Sequence, residues 1–159
     1  MKNIIYSEKY FDMSQFSRNQ TIMSSRIDFE VDLIKNMNQR RHNSILHQKS
    51  KHFGVRIIKL VRSLSSDYAL RPLHSQLLKS GTSINANVRE SEFAQSPADF
   101  VNKLSIALKE ANETEGWLEL LYEAECLNNA GYESMQKDCD ELIALLISSI
   151  NTTKRNNNL

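Results

Sequence analysis

The sequence predicts an all-α protein built on an antiparallel, up-down-up-down four-helix bundle. Three observations carry this. Gly 4 and Pro 2 in 159 residues leave long stretches without breakers, which favours helices over a many-turned β fold. Apolar residues recur at helical spacing in four successive segments. Short polar connections separate those segments, as antiparallel neighbours require.

The first strong helix is expected from about Leu46 to Ser65, with Phe53, Ile57, Leu60, Val61 and Leu64 on one face. The second begins near Pro72, which suits a first helical turn, and runs to about Ala94 with Leu73, Leu77, Ile84 and Val88 inward. Its centre, Ser80-Gly81-Thr82-Ser83, has poor helix propensity, and its small residues admit a close neighbour or mark a kink. Ser96-Pro97-Ala98-Asp99 reads as a capping box that opens the third helix, which continues to about Leu127. Leu104, Ala107, Leu108, Ala111, Leu118, Leu121 and Tyr122 form its apolar face. Asn128-Asn129-Ala130-Gly131 is a turn in which Gly131 offers a left-handed cap. The fourth helix is expected from about Tyr132 to Thr153, with Met135, Cys139, Leu142, Ile143, Leu146 and Ile150 inward.

The bundle domain is thus placed at 43–155, with a frayed tail at 156–159. Residues 1–42 form an extension rich in Asn, Ser, Gln and Met, weakly ordered or carrying one short helix. Ser25 to Asp28 resembles a capping box there, and Ile27, Val31 and Ile34 suit a helix face, although Ile27, Phe29, Val31 and Leu33 also alternate as in a strand. The extension is either a true part of the protein or an upstream start, since Met13, Met23 and Met37 are in frame.

Charge is divided along the chain. From Lys35 to Ser66 there is no Asp or Glu, whereas Glu90 to Glu141 holds 13 acidic residues against Lys103, Lys109 and Lys137. The two regions either pair with each other or leave the basic one for an anionic partner such as RNA or DNA. Its candidate phosphate contacts are Arg40, Arg41, Lys49, Lys51, Arg56, Lys59 and Arg62. The chain shows no membrane span and no signal-peptide core, so a cytoplasmic protein is expected. Cys126 and Cys139 are read as reduced core residues.

No phosphate loop, HExxH or nucleophile elbow occurs. No Glu-x-x-His occurs either, and no histidine follows His74, which removes the di-metal pattern of helical bundles. His42, His47, His52 and His74 are read as surface residues. No catalytic residue, metal or cofactor is assigned, and the chain is not expected to be an enzyme. Glu113 lies just off the apolar stripe and is expected to pair with Arg89 or Asn87 if it is partly buried. Trp117 and Leu120 widen that stripe beyond what one seam needs, which points to self-association.

The run Ser75-Gln-Leu-Leu-Lys-Ser-Gly-Thr-Ser-Ile84, Asn85-Ala-Asn-Val-Arg-Glu90, Asp99-Phe100, Lys103 to Ala111 and Glu113 to Leu121 resembles the 23S ribosomal RNA intervening-sequence protein family. The resemblance covers about residues 43–155. Arg89-Glu90-Ser91 and Lys109-Glu110 stand where many relatives have Ala-Glu-Gly and Gly-Ser. The resemblance implies an up-down four-helix bundle that assembles as a homo-oligomer, most often a ring-like pentamer, with no assigned catalytic site. Its motif residues here are Ser80, Thr82, Ser83, Asn87, Arg89, Glu90, Glu113 and Trp117, expected at structural or interface positions. A scaffold or interaction role is the leading expectation. The alternative is an accessory protein of the retroelement type that binds nucleic acid through the basic first helix.

Overall fold

A computed structural model describes residues 13–42, 44–64 and 67–159; the side chains of 13–21 and 37–42 lie outside the described residues. Among the described residues the protein is all-α, with five α-helices, one short 3-10 turn and no strand. The chain divides into two compact units, Met1–Arg40 and Arg41–Leu159.

The first unit carries all but the last two residues of α1, Met13–His42, 30 residues without Gly or Pro. It is longer than the short helix expected, and Ser25 does not cap it. Ser25 sits inside the helix and its hydroxyl donates to the Ile22 carbonyl at 2.9 Å. Local ion pairs, Arg26–Glu30 at 3.9 Å and Lys35–Asp32 at 3.3 Å, support the helix from its surface. The alternation from Ile27 to Leu33 is therefore not a strand pattern.

The second unit holds α2, Ile45–Ser63; a 3-10 turn, Tyr68–Leu70; α3, Arg71–Ser91; α4, Pro97–Glu123; and α5, Asn129–Asn157. Phe53 and Ile57 of α2, Leu77, Ile84 and Val88 of α3, Leu104 and Leu118 of α4, and Cys139, Leu142 and Leu146 of α5 join one core cluster. α2 packs on α3, α3 on α4, α4 on α5, and α5 also touches α2. Partner numbers fall along one helix as they rise along its neighbour. His47 meets Glu92 and Ser50 meets Asn85; Glu90 meets Lys103 and Ser80 meets Thr114; Ala111 meets Cys139 and Glu115 meets Gln136; Lys49 meets Glu141 and Arg56 meets Ser134.

Helix ends follow their chemistry. Ser96 accepts from Asp99 N at 3.1 Å, and Pro97 occupies the first turn, as the sequence suggests. The reciprocal bond is displaced by one residue: Asp99 Oδ2 accepts from Gln95 N at 3.1 Å rather than from Ser96. α4 stops at Glu123, short of Leu127, because Glu125 turns left-handed at φ 58°. Cys126 N then reaches the Leu121 carbonyl at 2.9 Å and Glu125 N reaches that of Tyr122 at 3.0 Å, the Schellman pattern. Gly131 does not cap α4. It lies in the first turn of α5, where Asn128 Oδ1 accepts its N–H at 2.8 Å. Tyr122 and Tyr132 stack at 4.4 Å across this connection.

Candidate interaction surface

The basic helix α2 has two unlike edges. Toward α5, Lys49 Nζ lies 2.7 Å from Glu141 Oε2. Arg56 pairs with Asp138 and donates to the Ser134 carbonyl at 3.1 Å and the Ser134 hydroxyl at 2.8 Å. His52 approaches Asp138 at 3.9 Å. Glu141 raises the affinity of the Lys49 ammonium for its proton, chiefly through that hydrogen bond. Two of the seven cations nominated for phosphate thus face carboxylates of the same chain. Lys51, Lys59 and Arg62 are exposed and have no carboxylate partner among the described residues. The side chains of Arg40 and Arg41 lie outside the described residues.

At the small-residue centre of α3, α2 comes close. A Cβ built on Gly81 would fall 2.7 Å from Ile57 Cγ1 and 2.8 Å from Cγ2, so only glycine fits there without a shift. Ser80 is buried, and its hydroxyl lies 3.0 Å from that of Thr114, itself fully buried on α4. Thr82 bonds back to the Leu78 carbonyl at 2.7 Å, and Asn87 donates to the Ser83 carbonyl at 3.0 Å. These polar motif residues satisfy one another or their own helices. Thr114 escapes sequence reading because a hydroxyl inside an apolar stripe resembles an interruption.

Two expectations are corrected. His47 is not on the surface: it is 4% exposed, and its Nδ1 lies 2.7 Å from Oε1 of Glu92. Glu113 is exposed and does not pair with Arg89 or Asn87; it accepts from Trp117 Nε1 at 3.1 Å. Arg89 is exposed, and Glu90 pairs with Lys103 at 2.6 Å. Burial, with nearby acidic groups, pushes the Cys139 thiol up to about 12, so it stays neutral in the core, while Cys126 is half-buried.

Trp117 packs partly against the core and leaves the rest of its ring at the surface beside Leu120, which is 51% exposed. Gly116 opens the helix surface next to them, and Asn112, Glu113 and Glu119 edge the same shallow depression. Among the described residues no group of three or more His, Cys, Asp or Glu comes together to hold a metal ion. No described helix is long and apolar enough to cross a membrane.

The fold and this surface define a helical protein whose polar pairs serve packing and whose outward features are an apolar-acidic patch and a basic stripe. The chain belongs to the 23S rRNA-intervening sequence protein family, whose model matches residues 42–148. α1 lies outside that match but for its last residue. The chain is similar to a crystal structure of a protein with unknown function from the S23 ribosomal protein family of Bacteroides thetaiotaomicron VPI-5482. The two are 52% identical over 67% of this chain and 98% of that one, with a TM-score of 0.64. No curated protein matches.

Proposed function

We propose that the protein is a non-catalytic, cytoplasmic scaffold: an up-down-up-down four-helix bundle that assembles with copies of itself into an oligomer larger than a dimer. The opposed residue order across each helix pair supports the bundle topology. The observation that carries self-association is the outward face of α4, where Trp117 and Leu120 meet water inside a rim of carboxylates. Tryptophan is enriched where proteins meet, and here its partly exposed ring lies beside a leucine that is half exposed. The family resemblance favours a pentamer.

Light scattering at micromolar concentration tests this. The expected mass is a multiple of 18.3 kDa greater than two, and a monomer overturns the reading. Trp117→Ala, at a half-exposed position, should lower that mass while the fold survives.

The alternative reading, a nucleic-acid-binding accessory protein, rests on Lys51, Lys59 and Arg62. A titration with structured RNA at two salt concentrations examines it, because phosphate contacts weaken steeply with salt. The commitment of Lys49 and Arg56 to α5 leaves this reading fewer cations than the sequence offers.

A further inference from the structure

Lys51, Val55, Ile58 and Arg62 follow one another on α2 at intervals of four, three and four residues, so they form one stripe. All four are exposed, Val55 and Ile58 each at 43%. Lys51 stands two residues from Lys49, about 200° round the helix, so the stripe is turned away from the carboxylates of α5. Leu78 of α3 adds 37% exposure one turn before Gly81, the residue that seats Ile57. No acidic residue occurs in α2 or in α3 before Glu90. The surface is thus apolar at its middle and cationic at both ends.

The face of α4 has the complementary order. Glu113, Trp117, Leu120 and Glu123 are spaced four, three and three residues apart, a band about 120° wide against about 60° for the α2 stripe. Lys51 to Arg62 spans about 16 Å and Glu113 to Glu123 about 15 Å at 1.5 Å per residue. Each stripe places two apolar side chains between two like charges, and the signs are opposite. We propose that the α2 stripe of one copy docks on the α4 stripe of the next, a head-to-tail interface between copies of this chain. Phosphate would use Lys51 and Arg62 but would leave Val55 and Ile58 in water, so the occupant that uses all four residues is apolar and acidic. Two different faces on one molecule make contacts that repeat from copy to copy and form rings of more than two where the rotation between copies closes, whereas a single self-complementary face would stop at a dimer.

The inference rests on the self-association proposed above, and the test separates the two. Light scattering would compare the full chain with Lys51→Glu/Arg62→Glu and with Glu113→Lys/Glu123→Lys, each checked for helicity by circular dichroism. Both variants should fall to the single-chain mass of 18.3 kDa, and a variant carrying all four reversals should regain the mass of the parent, since two reversed faces attract each other in every copy. If Glu113→Lys disturbs folding through Trp117, Leu120→Lys/Glu123→Lys carries the same arm. An oligomeric parent whose mass neither variant alters, or only one alters, overturns this interface while self-association stands. A monomeric parent removes both. RNA binding that is lost in Lys51→Glu/Arg62→Glu while the mass is unchanged assigns the stripe to phosphate and also overturns the proposal.

Discussion

Two glycines show how much one residue's surroundings decide. Gly81 and Gly54 both lie inside helices, where glycine costs about 1 kcal/mol relative to alanine. At Gly81 an added methyl would strike Ile57, a fully buried side chain with no free end to move aside. At Gly54 a Cβ meets nothing within 4 Å. Gly54→Ala should therefore stabilise the protein by about 0.5–1 kcal/mol. Gly81→Ala should destabilise it by about 1–3 kcal/mol, because overpacking exceeds the gain in propensity. Urea denaturation of the two variants checks both signs, and a stabilised Gly81→Ala would contradict the close approach. The sequence made Ser80-Gly81-Thr82-Ser83 legible as a place where another helix comes near. It did not show which helix, since closeness across 24 residues depends on how the chain returns. The same blindness put His47 on the surface: its burial depends on Glu92, 45 positions away.

At the scale of the element, helix starts were more legible than helix ends. Ser96-Pro97 announces α4 because a cap is a local hydrogen bond between neighbours in sequence. The end of α4 was misplaced because its left-handed residue is Glu125, not a glycine. A side chain in that conformation costs about 1–2 kcal/mol, and the two Schellman bonds and the Tyr122–Tyr132 stack hold it there. Glu125→Gly should remove that strain and stabilise the protein by about 0.5–1 kcal/mol, part of the gain being offset by the greater freedom of the unfolded chain. A thermal melt checks it; a lower Tm would mean that the Glu125 side chain makes a contact worth more than the strain. α1 was underread for a related reason. Its apolar residues do not fall on one narrow face, so periodicity is weak, yet the absence of breakers and the local ion pairs favour a continuous helix.

At the scale of the whole molecule, the division into Met1–Arg40 and Arg41–Leu159 makes a claim about cooperativity. The apolar side chains of the second unit form one cluster drawn from all four of its helices. The family model begins at residue 42, and the solved relative spans only 67% of this chain while using 98% of its own length. A protein of that smaller extent has folded well enough to crystallise. The side chains described on α1 between Ile22 and Ile34 are exposed, including Phe29 at 69% and Met23 at 68%, so they bury little that folding would lose. Hydrophobic stabilisation follows the area removed from water, which among the described residues places nearly all of it in the second unit. A fragment spanning residues 41–159 should therefore melt in a single transition within a few degrees of the full chain. Calorimetry on both decides this. A fragment that melts broadly, or far below the full chain, would show that the core needs α1 and that the two units are one.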